Sequence, residues 1–425
     1  MASDATGAKS IPAGIRYLAF QGGGGKGVAY VGAIKALQRL INGPAGQDLR
    51  LVRPWTKKNQ IKGVSGASAG AITALFICMG YSANDLGNLL ANEMDFSSFF
   101  DGPVLGKRCY VTTDNNGAIL IQFKSDGKTS TKVLNLVDPI SSPSTSNLVA
   151  QVLFPNDPSL ALLKKTLTSG DVEQWLGCLL LDFGLCLGRN AVNFFGDRIQ
   201  QFMDLQPFTL PYTGLTLPFK EFVKLTNGVR LVVSGTNISQ NRTFYFSDQH
   251  TPDFPVAAAC FISMCLPTIF KSVWVDAMVD SKDKPKSSAY RGLWIDGGVL
   301  NNFPLHAFDH TPAKKSQDPD LFELEPGMLG FQIVDGFDPS NKVESNIEPP
   351  KPSDMTIADF FSSLLGTLLY PSGEGQIRSP HEAEQTIKIF AGKLTTLDFS
   401  PSPADAADAQ QNAYDSVMRF YGDYG

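Results

Sequence analysis

Between Phe20 and Val28 the chain runs through Gly22-Gly23-Gly24-Gly25-Lys26-Gly27, five glycines in six residues. This stretch constrains the fold more than any other. Ahead of it, residues 15–20 (IRYLAF) form an apolar run of strand length. Behind it, Val28, Val31, Ile34, Leu37 and Leu40 recur at helical spacing. A strand, a glycine turn and an amphipathic helix in about 25 residues is half of a right-handed βαβ crossover. The pattern then repeats. Residues 61–64 (IKGV) enter Gly66-Ala67-Ser68-Ala69-Gly70, and Ala69–Met79 is apolar on every side before Gly80. A helix without a polar face is enclosed on all sides. The expected fold class is therefore α/β, a three-layer sandwich whose central sheet is mostly parallel and flanked by helices.

Further strands are expected at 230–235, 243–247 and 293–295, and buried or tail helices at 171–203, 256–264 and 404–421. Residues 101–170 are rich in turn residues and read as a loop-rich insertion or cover carrying short strands, and 341–353 as a polar surface linker. A single domain over 1–425 is expected. The net charge is -5 with no long single-sign run, so no basic footprint for nucleic acid exists. The longest apolar stretches, Leu176–Leu187 and Ala257–Phe270, are shorter than the roughly 18–20 residues of a spanning helix. The first fourteen residues lack the basic and apolar regions of a secretory signal. A cytoplasmic protein, peripheral to membranes, is the expectation. Cys78, Cys109, Cys178, Cys186, Cys260 and Cys265 form no closely spaced pairs and read as reduced core residues.

Three motifs carry chemistry. In the glycine loop, successive N–H groups can face one concavity at a helix N-terminus, a nest for a pyrophosphate or a developing oxyanion. It matches the dinucleotide pattern GxGxxG but not a P-loop, because Gly27 follows Lys26 where Ser or Thr is needed. Gly66-Ala67-Ser68-Ala69-Gly70 is a GxSxG between a strand and a helix, the setting in which small neighbours let a serine oxygen stand exposed on a cramped turn. Asp296-Gly297-Gly298 follows the run LWI, so a carboxylate stands at a strand end. Alone, it is also a common turn. Of the four histidines, His306 and His310 follow Asp296 in the serine–aspartate–histidine order. Their polar surroundings equally suit surface or packing residues, as do those of His250 and His381.

With these motifs in this order, the chain resembles the patatin-like phospholipase family. The likeness extends to residues 218–270, to LWIDGGVLNNFPL at 293–305 and to 394–420. It does not cover 101–170. The resemblance implies a serine–aspartate dyad without histidine, in which Ser68 attacks an ester carbonyl and Asp296 takes its proton. It implies an oxyanion hole in Gly22–Gly27, with the amides of Gly23, Gly24 and Gly25 aimed at the oxygen. Gly66, Ala67, Ala69 and Gly70 then form the nucleophile elbow, and Gly297 and Gly298 the loop after the base. Lys26 stands where the family more often has Arg, a point charge in place of a planar fork.

The implied substrate is a phospholipid or another acyl-ester lipid at a membrane surface. No cofactor, metal or nucleic acid is expected, and a protein or small-molecule activator is compatible with the family. The segment Trp175–Phe195 is read as either an acyl channel touching the bilayer or plain core helix. Two other readings stand beside the hydrolase. A nucleotide-dependent oxidoreductase would use the GxGxxG loop, although no acidic residue ends a second strand at the spacing it needs. A catalytically silent lipid- or partner-binding module of the same fold is the other.

Overall fold

The computed structural model describes residues 14–43, 50–125, 178–179, 182–280, 288–309, 324–334, 377 and 379–422. The first apolar run becomes β1 (Tyr17–Phe20). Its side chains alternate between faces. Leu18 and Phe20 join the main core, and Ala19 a smaller cluster on the opposite face. The other strands are β2 (Gly63–Gly66), β3 (Lys107–Thr113), β4 (Ile119–Ser125), β5 (Gly184–Cys186), β6 (Arg230–Asn237), β7 (Arg242–Phe246), β8 (Thr268–Phe270), β9 (Val273–Val275), β10 (Gly292–Asp296), β11 (Met328–Val334) and β12 (Thr386–Phe390).

Among the described residues the main sheet runs β12-β11-β1-β2-β6-β10-β9-β3-β4, with β7 paired to β6, while β5 and β8 pair separately. The half from β12 to β6 is parallel. Beyond β6 the pairing turns antiparallel, except for the parallel contact of β3 with β9. The α/β sandwich is thus present, and its parallel half carries the two strand–turn–helix units.

Register explains how distant motifs converge. Gly66, the last residue of β2, lies beside Val233 of β6. Asp296, the last residue of β10, lies beside Gly235 of the same strand. Two sequence-distant chain ends therefore flank one short piece of β6, with neighbouring strands about 4.8 Å apart.

Above the main core, α1 (Tyr30–Asn42) packs on the helix Pro403–Phe420. Gly32 allows that close approach, since a Cβ there would strike the Gln410 carbonyl. α2 (Ala69–Cys78) lies over β1, β2 and β6, and every residue from Gly70 onward is buried. Gly80, at φ +87, ends this segment in the left-handed region. The opposite sheet face is covered by Phe303, Leu305 and Phe308.

Two sequence expectations need correction. The glycine stretch is not an open loop, because Gly24–Ala29 coil into a 3-10 turn and α1 starts only at Tyr30. Within 171–203, β5 stands between the helical residues 178–179 and the helix that starts at Arg189. In the described part of 101–170, the short strands expected among the turns are β3 and β4, a hairpin on the sheet edge. The linker at 341–353 and the rest of 126–177 lie outside the described residues. All six cysteines are free and buried, as expected of core thiols. Among the described residues no helix is long and apolar enough to cross a membrane.

One buried ion pair fixes the wall beside β8. Lys271 and Asp182 pair with side-chain exposures of 0% and 1%. The Lys271 ammonium also donates to the Lys107 carbonyl at 2.8 Å and to that of Val104. Removing one member of such a pair leaves the other charge uncompensated, at a cost of about 3–5 kcal/mol. Lys271→Met should therefore lower the unfolding free energy obtained from urea denaturation by that amount, with a correspondingly lower midpoint. The double variant Lys271→Met/Asp182→Leu should recover much of the loss, and equal midpoints for the single and double variants would refute this account.

Candidate active site

Ser68 occupies the turn between β2 and α2 with φ 50 and ψ -123. A side-chain-bearing residue rarely adopts this conformation, and it persists only where its surroundings enforce it. The enforcement is visible. A Cβ on Gly66 would collide with the backbone of Gly70, and one on Gly70 with the carbonyls of Phe20 and Gln21. The Ser68 amide donates to Ser263 Oγ at 3.0 Å. Its carbonyl accepts from Ala71 and Ile72, the start of α2. The side chain stays 5% exposed.

Asp296 is fully buried. Its Oδ1 accepts the Gly298 amide at 2.7 Å, while Oδ2 has no hydrogen-bond partner among the described residues. The Ser68 side chain reaches this carboxylate and favours its charged form, although more loosely than a formed hydrogen bond. Such pairs commonly tighten only once substrate is bound. Burial is the dominant influence and raises the carboxyl pKa to about 7, against the opposing pull of the Gly298 N–H and Ser68. No histidine figures among these influences.

The connection between the two residues runs through the end of the helix Val256–Ser263. Ser263 holds Ser68 through its hydroxyl and accepts the Gly297 amide on its carbonyl at 3.3 Å. The Asp296 amide donates to Cys265 O at 2.9 Å. Two residues, Ser263 and Cys265, thus fix both motifs.

The glycine loop is held from two sides. The Gly22 amide donates to Asn302 O at 2.9 Å, and Asn302 Nδ2 returns a bond to Gly22 O at 3.3 Å. Gly25 N–H is taken by Thr396 O. A Cβ on Gly24 or Gly25 would strike the backbone of Thr396 or Asp398. These two glycines therefore admit the protein's own C-terminal segment, not a pyrophosphate. Lys26, buried in the turn, donates its amide to Gly23 O, and Gly27 lies against Ala69. Among the described residues, no acceptor takes the N–H groups of Gly23 and Gly24. The expected oxyanion set of Gly23, Gly24 and Gly25 is corrected accordingly, because Gly25 has its donor occupied.

Beside Ser68 lies a 30 Å³ pocket walled by aromatic side chains including Phe96, Phe100, Phe270 and Phe399. None of the described residues of Trp175–Phe195 lines it. In the described part of that segment, Phe194 and Phe195 pack on Phe99 as core. His306 bridges Asp309 and Glu382, which supports its reading as a packing residue. His250 contacts Ser247, and His310 lies outside the described residues. Ser263 and Asn302 were not singled out from sequence, because their roles come from the hydrogen bonds that they make across the fold. The only signal for either was its place within a family-like block.

The family model for Patatin-like phospholipase matches residues 18–309, which span both Ser68 and Asp296. No curated protein sequence matches the chain. Among solved structures it is similar to VipD from Legionella pneumophila, at 18% identity and TM-score 0.41, covering 97% of this chain and 67% of that one. It is also similar to the type III effector ExoU, at 17% identity and TM-score 0.36, covering 98% and 53%. A structure of the ExoU–SpcU complex from Pseudomonas aeruginosa matches at 17% identity and TM-score 0.37, covering 96% and 51%. The chain spans about half the length of ExoU.

Burial of Asp296 should be measurable as a pH-dependent stability difference. Its folded pKa of about 7 lies above the ordinary 3.8, so between those values the folded state keeps a proton that the unfolded state releases. Stability then falls as pH rises through this window. At about 1.4 kcal/mol per tenfold change in proton affinity, the loss is at most about 4 kcal/mol. Asp296→Asn should melt above the parent protein at pH 8, with the gap closing toward pH 4; a pH-independent gap would contradict the burial argument. Separately, Asn302→Ala should lower kcat more than it raises KM, since it loosens the glycine loop without removing a donor that faces substrate.

Proposed function

Because the chain belongs to the patatin-like phospholipase family, we propose that it hydrolyses fatty-acyl esters of membrane lipids with Ser68 as nucleophile and Asp296 as general base. The reading rests on one observation above all. A buried carboxylate with an open oxygen lies within reach of a serine held on a strained turn. A carboxylate in water is a weak base, whereas one whose pKa is near 7 can accept a serine proton at neutral pH.

In the first step Ser68 Oγ adds to the ester carbonyl and its proton passes to Asp296. Charge then develops on the carbonyl oxygen, and the N–H groups of Gly23 and Gly24 supply donors for it. Each well-placed donor of this kind is worth about 3–4 kcal/mol in the transition state. The tetrahedral intermediate collapses as Asp296 returns the proton to the leaving alcohol oxygen, leaving an acyl ester on Ser68. Water then attacks the acyl ester as the same carboxylate takes its proton, and that proton passes to Ser68 Oγ as the fatty acid leaves. Gly66, Ala67, Ala69 and Gly70 shape the elbow, Gly22, Gly25, Lys26 and Gly27 the oxyanion turn, and Gly297 and Gly298 the loop behind the base. Residues 1–425 act as one acyl hydrolase domain, working at a membrane surface without a redox cofactor.

Ser68→Ala and Asp296→Asn should each reduce release of fatty acid from mixed liposomes by at least about a thousandfold with unchanged far-UV circular dichroism. Substantial turnover in either would end this assignment. Since only ionised Asp296 can accept the proton, kcat/KM should rise with pH and level off above about 7. His306→Gln should leave that profile in place.

A further inference from the structure

The Ser68 pocket, at 30 Å³, has the volume of roughly one water molecule in the liquid. It cannot take an acyl chain. Directly adjoining it is a second cavity of 450 Å³, within the range of ligand sites. The two share Gly24, Ala69, Ile72, Phe96 and Phe399 in their walls. The larger cavity therefore opens on the glycine turn and on the residue after the candidate nucleophile.

The partition between them is aromatic. Phe399 lies 6.0 Å from Phe96 and 5.5 Å from Phe100, ring centre to ring centre, and Phe100 stacks on Phe270 at 5.7 Å. One cavity wall is the segment that includes Leu86, Leu90 and Met94, where Leu89–Glu93 form a π-helical turn. Such turns occur often at functional sites. The opposite wall is Phe399 to Gln410, which falls beyond the residues matched by the family model.

The charged groups at this cavity have other partners. Glu93 pairs with Arg198 at 2.6 Å and also accepts from Asn88. Asp95 accepts from the Ser97 amide as the cap of the helix Phe96–Phe99. Neither carboxylate is left to bind a cationic headgroup. The lining also includes Thr73, Asn92, Ser400 and Gln410, but its larger share is apolar, with Val28, Ile72, Leu86, Leu90 and Met94, and hydrocarbon is the chemistry these favour.

Resting on the lipid hydrolase reading, we propose that this cavity holds the scissile acyl chain of a long-chain substrate, and that Phe96 and Phe399 must part to connect it with Ser68. Chain-length preference then resides in the walls built by 86–96 and 399–410. The second wall lies beyond the residues matched by the family model, so that preference depends on the C-terminal segment as well as on 86–96.

The test narrows the cavity from both walls in the full-length protein, with Leu90→Trp and Ala406→Phe, and uses Leu90→Met as a size-matched control. p-Nitrophenyl esters from four to sixteen carbons give kcat/KM across the series. Each filling variant should lower the long-to-short ratio by at least about tenfold, because several methylenes lose their burial, while Leu90→Met preserves it. Unchanged ratios in both fillers would overturn the proposal. Fluorescence of cis-parinaric acid supplies an independent readout in the Ser68→Ala background. Saturable binding is expected there, weakened at least about tenfold by either filler. Absence of binding, or binding that is indifferent to both fillers, overturns the proposal as well. Should the parent protein hydrolyse no ester, the catalytic reading fails, and parinarate binding still decides the cavity.

Discussion

Everything at the candidate centre depends on a carboxylate held where water cannot reach it. Asp296 is fully buried, and one of its two oxygens has a backbone donor. The other has no partner of ordinary geometry among the described residues. In most proteins such an atom would be a defect costing a few kcal/mol. Here burial itself lifts the carboxyl pKa to about 7, against the opposing pull of the Gly298 amide and of Ser68. On the proposed reading, a second donor would stabilise the charged carboxylate and weaken it as a base.

A carboxylate of this kind keeps its character only if its position does not drift, and the structure invests unusual redundancy in fixing it. The end of the helix Val256–Ser263 binds the Ser68 amide, the Gly297 amide and, two residues on, the Asp296 amide. Asn302 ties the loop after Asp296 to the glycine turn in both directions. The tail enters through Thr396 and Asp398, whose backbones lie where side chains on Gly24 and Gly25 would stand. Strain at Ser68 is held by close glycine packing on both sides. The site is thus assembled from five separated stretches of chain, around residues 22–27, 66–70, 263–265, 296–302 and 396–399.

This distribution explains what sequence could and could not reveal. The elbow and the glycine turn are local, so each is written in one short run bounded by a strand and a helix. Both were legible, as was the buried α2, whose lack of any polar face needs no tertiary information. The expectation that Ser68 pairs with Asp296 came through resemblance, whereas what brings the ends of β2 and β10 together is their register on either side of β6. Periodicity does not encode that register. Ser263 and Asn302 act through backbone partners 195 and 280 positions away, and a hydroxyl or an amide in isolation carries no such address. The β3–β4 hairpin was legible only as short strands among turns, because it is a partly exposed edge with mixed side chains whose alternation is weak. Trp175–Phe195 stayed open between acyl channel and core helix, since apolar content alone does not separate core from cavity wall.

The aromatic partition and the buried base are two aspects of the same constraint. Phe96, Phe100, Phe270 and Phe399 reduce the space beside Ser68 to about one water's volume. If that space opened to solvent with no substrate present, water would hydrate Asp296, its pKa would fall toward the ordinary carboxylate value, and basicity would be lost. An acyl chain that displaces the rings replaces one apolar lining by another, so the pocket enlarges without becoming wet. On the proposed reading, a hydrocarbon ligand would open the site and keep the carboxylate basic, whereas a small hydrophilic ester would open it at the expense of the base. On this physical ground, a dyad built on a buried aspartate would suit lipid and discriminate against water-soluble esters before any headgroup is recognised.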